Sequence, residues 1–344
     1  MKKLSIAVLG AGSWGTALSL VLNSNNHVVN LWMRREEQYH QMLETRENRK
    51  YLPEVKIPSN IHLFTDSIAA IKGTDIILLA VPTQKVREVL KSIKSYVEPH
   101  QIIVNAAKGI EQKSQLRISE VVEAELPQQP YAMLSGPSHA EEVATNMPTA
   151  IVAASLKKDT AEFVQHAFMT SKFRVYTNPD VAGVELGGAL KNVIAFGAGI
   201  ADGLGFGDNV RAALMTRGIR EIARLGKAMG ADISTFAGLS GIGDLIVTCT
   251  SMHSRNRRAG ILIGKGKSLK ETLQEIGMVV EGITTTNVAY ELAMKYNIEM
   301  PITEEIYKVL YEGRNPKDAV INLMTRDRKN EMEEIVNDSN VDWQ

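Results

Sequence analysis

The chain has little cysteine: Cys249 is the one cysteine among 344 residues. A single cysteine excludes a disulfide within the chain and fits a reducing compartment, so we expect a cytoplasmic protein. Histidine, cysteine, aspartate and glutamate nowhere have the spacing of metal ligands, and we predict no metal site. No pattern of serine, histidine and aspartate indicates a nucleophilic hydrolase.

Net charge is also absent, because 39 basic residues balance 39 acidic residues. This balance provides no overall attraction for nucleic acid or for an anionic membrane surface, and we expect neither partner. Long apolar runs are missing as well. The nearest candidate, residues 182–201, is interrupted by Glu185, Lys191 and Asn192, so we expect no segment inserted in a bilayer.

A glycine-rich turn stands near the start of the chain. The apolar run 4–9 leads into Gly10, Gly12 and Gly15, and a helix-favouring segment follows at 16–22. This order of strand, G-x-G-x-x-G turn and helix is typical of a dinucleotide-binding unit. The first glycine permits the tight turn, the second lets a pyrophosphate approach the backbone, and the third lets the helix pack closely. The helix N-terminus then offers free N–H groups to the phosphates.

Two arginines follow the second predicted strand, residues 28–33. An NAD-specific unit carries an acidic residue here for the ribose hydroxyls, whereas this chain has Arg34 and Arg35. Guanidinium groups bind a 2′-phosphate bidentately, so the sequence favours NADPH, with NADH as the alternative. A solvated charged loop is the competing interpretation, because Glu36 and Glu37 come next.

Strand and helix patterns alternate from residue 4 to about residue 178, and only helical patterns follow. We predict an α/β fold with an N-terminal doubly wound Rossmann-type sheet and an all-α C-terminal domain. The domains are placed at 1–182 and 183–330, with a polar tail at 331–344. Residues 44–60 are expected to form a loop region, and segments 150–154 and 174–177 are expected to be edge strands.

Two later strands of the sheet end in residues suited to a ligand. Lys108 follows strand 102–105, and Gly136 and Ser138 follow strand 131–134. Ligands of such sheets lie outside the carboxyl ends of the strands, where a lysine can bind an anion or a carbonyl group. A surface lysine in an ordinary loop is the alternative.

Residues 181–201 read as a helix that is dense in small residues and interrupted by Lys191. Each interior glycine costs a helix about 1 kcal/mol relative to alanine, so this density predicts close packing against other helices. Burial would lower the pKa of Lys191 into the range of acid–base catalysis. Snorkelling from a helix end or pairing with Glu185 is the alternative, and His139 and His253 are competing acid–base candidates ranked below Lys191.

The segments 238–244 and 254–258 supply further polar candidates. Glycines surround Asp244, which could orient the lysine, accept from a substrate hydroxyl or merely cap a helix. Ser254 can cap a helix whose first turn holds Arg255 and Asn256, an arrangement suited to a phosphate or carboxylate. A solvated basic face is the alternative there.

Eight segments together resemble the bacterial NAD(P)-dependent glycerol-3-phosphate dehydrogenases. They are GAGSWGTAL at 10–18, AVPTQ at 80–84, AAKGIE at 106–111, LSGPSHAEEV at 134–143, ELGGALKNVIAFGAGIADGLGFGDN at 185–209, GLSGIGDLIVTCTS at 238–251, SRNRRAG at 254–260 and VEGITTTN at 280–287. Because they are spread over most of the chain, the resemblance reaches well beyond a shared nucleotide fold.

The resemblance implies reversible reduction of dihydroxyacetone phosphate to sn-glycerol 3-phosphate, which supplies glycerophospholipid synthesis, with Lys191 as proton donor. The implied substrate contacts are Lys108, Gly136, Ser138, Lys191, Asp244, Ser254, Arg255 and Asn256. The implied cofactor contacts, beside the glycines, are Ser13, Trp14, Arg34, Arg35, Lys108, Ala140, Arg255, Val279 and Glu281. The partner is a small phosphorylated molecule, and a helical second domain is compatible with a homodimer.

Two other functions remain open at this point. One is a different two-domain dehydrogenase of the hydroxyacid or sugar-phosphate type with the same cofactor half. The cationic segment 254–258 favours a phosphorylated substrate over an uncharged one. The other is a nucleotide-sensing protein without enzymatic activity, against which a buried Lys191 beside a cleft argues.

Overall fold

A computed structural model describes residues 3–328 and residue 331. The predicted tail at 331–344 thus lies outside the described residues except for Glu331. The strands are β1 Ser5–Leu9, β2 Val28–Trp32, β3 Glu47–Asn48, β4 Leu52–Lys56, β5 Ile61–Phe64, β6 Ile76–Leu79, β7 Ile102–Asn105, β8 Tyr131–Ser135, β9 Thr149–Ala154 and β10 Phe173–Asn178. The helices between them are α1 Ser13–Ser24, α2 Glu36–Thr45, α3 Ser67–Ile71, α4 Val86–Ile93, α5 Ile118–Glu125, α6 Ala140–Ala144 and α7 Lys158–Phe168.

Eight of these strands form one sheet in the order β10-β9-β8-β7-β6-β1-β2-β5. Strand β1 lies inside it, with Ile6 paired to Val29 of β2 and to Ile76 of β6, both in parallel. Alternate residues of β1 enter different apolar layers, Ile6 one and Ala7 the other. Burial on both faces explains the apolar run and confirms the predicted doubly wound sheet.

One end of the sheet differs from the prediction. Strand β9 pairs antiparallel with β8, through Leu134 and Ala153, and parallel with β10. Of these two strands only β10 lies at an edge of the sheet, so the prediction that 150–154 forms an edge was wrong. Its residues Ile151 and Ala154 are fully buried, as expected for a strand with neighbours on both sides.

The predicted loop at 44–60 contains a small antiparallel hairpin of β3 and β4, with Asn48 paired to Leu52. The loop prediction, which rested on polar composition and prolines, was therefore wrong. The hairpin is polar because only Leu52 and Asn48 are buried in it. Pro53 lies in a two-stranded unit where a missing N–H is tolerated.

The second half is helical throughout the part that the structure describes, as predicted. Its helices are α8 Val181–Gly203, α9 Asp208–Ala228, α10 Asp244–Thr250, α11 Arg255–Gly264, α12 Leu269–Ile276, α13 Glu281–Tyr296, α14 Pro301–Tyr311 and α15 Pro316–Met324. The apolar centre of this half is built around α8, with Leu190, Phe196 and Ile200 in one cluster with residues of the surrounding helices.

Helix α8 is the buried central element that its glycines predict. A Cβ on Gly187 would lie 2.6 Å from the carbonyl oxygen of Ser240, and one on Gly197 would lie 2.7 Å from Ile306. A Cβ on Gly199 would overlap the backbone of Arg257. By length and composition α8 could cross a membrane, but its apolar window is 100% buried inside the protein. It is therefore a core helix.

Candidate active site

The candidate site lies along the carboxyl edge of the sheet. Strands β2, β1, β6, β7 and β8 are consecutive and parallel, so their carboxyl ends meet at one edge. The chain leaves β1 toward β2 and later returns to β6 on the other side of β1. This reversal of strand order opens the crevice in which sheets of this kind bind ligands.

The glycine turn after β1 has the shape that its sequence predicts. Gly10 has φ +122°, and a Cβ there would lie 2.7 Å from the backbone of Ala80 at the end of β6. A Cβ on Gly15 would overlap the carbonyl of Gly10, whereas one on Gly12 would meet nothing within 4 Å. Gly12 thus faces open space, which is where a pyrophosphate has to approach.

Helix α1 starts at Ser13 without a side-chain cap, so its first N–H groups point to the same space. The indole N–H of Trp14 is buried and has no hydrogen-bond partner among the described residues. Buried donors are normally paired, so an unpaired donor beside this turn fits a polar ligand group. Trp14 and the free helix end together suit a bound dinucleotide.

The two arginines after β2 differ in their surroundings. Arg34 is exposed. Arg35 donates from Nη2 to the hydroxyl of Tyr51 at 2.8 Å, and its guanidinium lies 5.5 Å from the centre of the Tyr51 ring. The hydroxyl of Ser13 in turn donates to the carbonyl oxygen of Tyr51 at 2.6 Å. The hairpin therefore connects the arginine pair to the glycine turn.

Lys191 lies in the middle of α8 and is buried, with 6% of its surface exposed. Its ammonium donates to the carboxylate of Asp244 and, at 2.8 Å, to the hydroxyl of Thr248. Burial lowers the pKa of Lys191 from 10.5 to about 8, although Asp244 opposes the shift. The alternative pairing with Glu185 does not occur, because Glu185 accepts from Arg117, Ser119 and Tyr131.

Lys108 reaches the same carboxylate from the sheet. Its ammonium donates to Asp244 Oδ2 at 2.8 Å, to the carbonyl of Gly136 at 2.8 Å and to the Ser138 hydroxyl at 3.3 Å. Burial would raise the pKa of Asp244, but the charges of Lys108 and Lys191 hold it below its ordinary value. The cluster is thus an ionised carboxylate between two ammonium groups.

Asp244 owes its position to a close contact between backbones. The segment Leu239–Gly243 forms a single π-helical turn that leads directly into α10. Gly187 of α8 touches this turn, and no side chain would fit between them. Asp244 in the first turn of α10 and Thr248 one turn later therefore both face Lys191.

A chain of amides connects this cluster to α11. Asn192 donates to the Lys108 carbonyl at 3.2 Å and accepts from Asn256 at 2.8 Å. Asn256 accepts in turn from the N–H of Gly282 at 2.8 Å. Ser254 caps α11 by accepting from the N–H of Arg257 at 3.2 Å, as predicted for this helix start.

Arg255, Val279 and Glu281 form a third group where α11 and α13 meet the sheet. Arg255 donates to the Val279 carbonyl at 2.9 Å, so Val279 contributes its backbone. Glu281 accepts from the N–H of Thr83, just after β6, at 3.0 Å. Burial raises the pKa of Glu281, and the Arg255 charge opposes that shift. Ala140, the first residue of α6, is buried.

The competing histidines lie near the cluster but outside its hydrogen bonds. The rings of His139 and His253 are 5.7 Å apart, and His139 Nε2 lies 3.4 Å from the carbonyl oxygen of Val247. Burial and the Lys191 charge lower the pKa of His139.

Comparisons with known proteins match both halves of the chain. Residues 5–161 match the family model described as the N-terminus of NAD-dependent glycerol-3-phosphate dehydrogenase, and residues 180–321 match its C-terminus. The chain belongs to this family. Among curated relatives, the glycerol-3-phosphate dehydrogenase [NAD(P)+] of Thermoanaerobacter sp. (strain X514) is 57% identical over 96% of this chain and 100% of the relative.

A second curated relative and a crystal structure support the same family assignment. The enzyme of the same name from Bacillus pumilus (strain SAFR-032) is 55% identical over 98% of each chain. The crystal structure of glycerol-3-phosphate dehydrogenase from Coxiella burnetii superposes with a TM-score of 0.92 at 41% identity, covering 94% of this chain and 99% of that one. The resemblance read from the eight sequence segments is therefore confirmed at the level of family, fold and enzyme class.

Four residues at the site were missed by sequence reasoning. Thr83 and Asn192 lie inside quoted segments, but their roles depend on which backbone groups the fold brings to them. Thr248 stands one helical turn after Asp244, a spacing that could have indicated it. Tyr51 lies in the hairpin predicted to be a loop, where no local signal marked it.

Proposed function

We propose that the chain catalyses the reversible reduction of dihydroxyacetone phosphate to sn-glycerol 3-phosphate, with NADPH as preferred cofactor and NADH as a weaker substitute. The observation that carries the proposal is the pair of ammonium groups, from partly buried Lys108 and buried Lys191, on the single buried carboxylate of Asp244. The reaction is inferred from family membership, and Lys191 in this cluster is the proposed source of the proton that the reaction needs.

Lys191 is the proposed proton donor. Two of its three N–H groups are engaged by Asp244 and Thr248, which leaves one for a substrate carbonyl oxygen. With a pKa of about 8, it is mostly protonated at neutral pH and can still release a proton to a developing alkoxide. The carboxylate of Asp244 holds the ammonium in place.

Lys108 is proposed to polarise the substrate from the opposite side. All three of its N–H groups are engaged, and the contact to Ser138 at 3.3 Å is the longest of them. A substrate oxygen would replace this contact. Gly136 has φ +140°, and a Cβ there would lie 2.9 Å from Ile151 of β9, so glycine is required where the chain leaves β8 toward the proposed site.

The substrate phosphate is assigned to the start of α11, where the capped first turn contains Ser254, Arg255 and Asn256. An anion there meets a helix N-terminus and a guanidinium group. The amide chain from Asn256 to Asn192 and Lys108 connects this site to the reacting carbonyl.

The cofactor is assigned to the crevice between β1 and β6, where a bound nicotinamide supplies the hydride. Gly10, Gly12 and Gly15 shape the turn, and Ser13 and Trp14 begin the helix that faces the pyrophosphate. The remaining proposed contacts are Arg34, Arg35, Lys108, Ala140, Arg255, Val279 and Glu281.

We also propose the domain boundaries 1–182 and 183–330, and we infer a cytoplasmic enzyme that supplies glycerophospholipid synthesis. A homodimer is the proposed assembly. Sedimentation analysis of the purified protein tests that assembly, and a mass of 37.8 kDa for the sedimenting species would reject it.

One assay tests the central proposal. NADPH oxidation is followed at 340 nm with dihydroxyacetone phosphate, then with unphosphorylated dihydroxyacetone and with a 2-keto acid of similar size. We expect turnover with the first compound and at least about 100-fold lower kcat/KM with the others, because they lack the phosphate that α11 binds. Equal turnover of the keto acid would reject the substrate assignment.

A further inference from the structure

The hairpin of β3 and β4 is fastened directly to the glycine turn. The amide of Asn48, which is fully buried, donates to the Ala11 carbonyl at 3.0 Å and to the Thr16 hydroxyl at 2.8 Å. Gln38 of α2 donates to the same Ala11 carbonyl at 2.7 Å. These contacts hold the hairpin at the adenosine end of the proposed crevice, beside the arginines that follow β2.

Tyr51, in the turn of this hairpin, has two separate connections. Its backbone carbonyl accepts from Ser13 at 2.6 Å, which ties it to the first residue of α1. Its side chain faces Arg35, with a hydrogen bond of 2.8 Å from the guanidinium to the hydroxyl and the guanidinium 5.5 Å from the ring centre. The other partner of Arg35, Gln38, is more distant at 3.4 Å.

A side chain held in this way has little freedom before a ligand binds. Arginine loses up to about 2 kcal/mol of rotamer entropy when it is ordered, and a free arginine incurs that cost during binding. The contacts to Tyr51 and Gln38 both use Nη2 of Arg35, so the donors at Nη1 and Nε, which have no hydrogen-bond partner among the described residues, remain for an anion. Arg34 has no such support and is exposed.

We propose that Tyr51 is a positioning residue for cofactor specificity: its hydroxyl holds Arg35 toward the 2′-phosphate that distinguishes NADPH from NADH. The proposal rests on the proposed function, which places the 2′-phosphate at the arginine pair. Tyr51 acts through Arg35 and contributes to NADPH binding more than to NADH binding.

The test compares two ligands that differ only in the 2′-phosphate, adenosine 2′,5′-bisphosphate and AMP, by titration calorimetry with the full chain. Tyr51→Phe removes the hydroxyl and keeps the ring and the backbone carbonyl that Ser13 uses. We expect about fivefold weaker binding of the bisphosphate and a change in AMP binding of less than about twofold. The KM for NADPH should rise by a similar factor, with the KM for NADH unchanged.

Tyr96→Phe is the matched control, because Tyr96 is 55% exposed and lies in the turn after α4, away from the crevice. Equal weakening of both ligands in Tyr51→Phe, or weakening of neither, would overturn the proposal.

A double-mutant comparison tests whether Tyr51 acts through Arg35. In an Arg35→Ala background, Tyr51→Phe should have no further effect on bisphosphate binding, and a full additional loss would show that Tyr51 does not act through Arg35.

The two proposals fail in different ways. If Arg34→Ala and Arg35→Ala both leave bisphosphate affinity unchanged, the 2′-phosphate site itself is misplaced and the proposed cofactor assignment fails with it. If Arg35→Ala weakens the bisphosphate but Tyr51→Phe does not, the cofactor site stands and the role of Tyr51 is rejected.

Discussion

Two opposing effects act on the charge of Lys191. It is almost completely buried, which disfavours its charge, and it is paired with Asp244, which restores the charge. Desolvation is the larger of the two effects, so its pKa falls to about 8 instead of rising as in an exposed ion pair. The charge of Lys108 on the same carboxylate lowers the pKa of Lys191 further.

This balance predicts opposite pH profiles for the two directions of the reaction. Reduction requires protonated Lys191, so its kcat/KM should decline by about tenfold per pH unit above pH 8. Oxidation of glycerol 3-phosphate requires the neutral amine and should rise through the same range. Initial rates of both directions, measured across this range in buffers of constant ionic strength, provide the check.

Lys191→Ala is the companion variant. It should lose turnover while NADPH binding, followed by fluorescence, largely persists, because the proposed cofactor contacts lie at other residues. Near-normal turnover in this variant, or a reduction rate that stays flat across pH 8, would contradict the assignment of Lys191 as proton donor.

Sequence reasoning found the residues whose local context is unusual. A lysine within an apolar helix, arginines where an acid is expected and glycines before a helix are each anomalies along the chain. Thr83 and Tyr51 are ordinary residues in their segments, and their importance comes from tertiary contacts with Glu281, 198 residues away, and with Arg35, 16 residues away. Only the folded chain brings such pairs together.

Among the elements, helices α8 and α11 pack in direct backbone contact. Gly199 and Gly203 of α8 face Gly260 and Gly264 of α11, so the two backbones touch without side chains between them. This packing fixes the start of α11, where the proposed phosphate site lies, relative to Lys191. The high glycine content that disfavours α8 as an isolated helix is thus what allows the close packing that positions Lys191, the proposed proton donor.

Gly199→Ala should therefore lower the free energy of unfolding by about 1–3 kcal/mol, because the new methyl group meets the backbone of Arg257, which cannot rotate away. Urea unfolding followed by circular dichroism measures this loss. Gly207→Ala is the control: it has nothing within 4 Å, and its φ of −86° suits alanine. A loss at Gly207 as large as that at Gly199 would contradict the packing argument.

Element boundaries were predicted well where periodicity was strong and poorly where the fold imposes the conformation. The long strands and helices follow from apolar runs and helical spacing. The β3–β4 hairpin depends on buried Asn48, which bonds to the glycine turn, and the π-helical turn at Leu239–Gly243 depends on its contact with Gly187. Neither anchor can be read from the local residues.

On the scale of the whole molecule, α8 connects the sheet half to the helical half. Its first turns lie against the sheet half, where the buried carboxylate of Glu185 accepts from the backbone and hydroxyl of Ser119, from Arg117 and from Tyr131. Its later turns pack in the helical core, and Lys191 lies between these regions. Weakening the hydrogen bonds to Glu185 would therefore displace Lys191 relative to Lys108.

The hydrogen bonds to Glu185 predict which of two substitutions lowers the free energy of unfolding more. Glu185→Ala removes every acceptor and leaves Arg117 without its buried partner, so we expect a loss of about 3 kcal/mol or more. Tyr131→Phe removes one hydrogen bond of 2.7 Å and should cost about 1 kcal/mol. Urea unfolding at neutral pH measures both losses, and a larger loss for Tyr131→Phe would contradict the central role of the carboxylate.

The Glu185→Gln variant tests how the charge of Glu185 changes the free energy of unfolding with pH. Burial raises the pKa of Glu185 above its ordinary value of 4.5, so the folded state binds a proton more tightly than the unfolded state does. Ionisation of Glu185 therefore destabilises the fold as pH rises above 4.5, and the glutamine variant lacks this penalty. Its stability relative to the parent should increase from pH 4.5 to 7, measured by urea unfolding at both values. The opposite trend would mean that the Arg117 charge outweighs burial, and that the ionised carboxylate itself holds the two halves together.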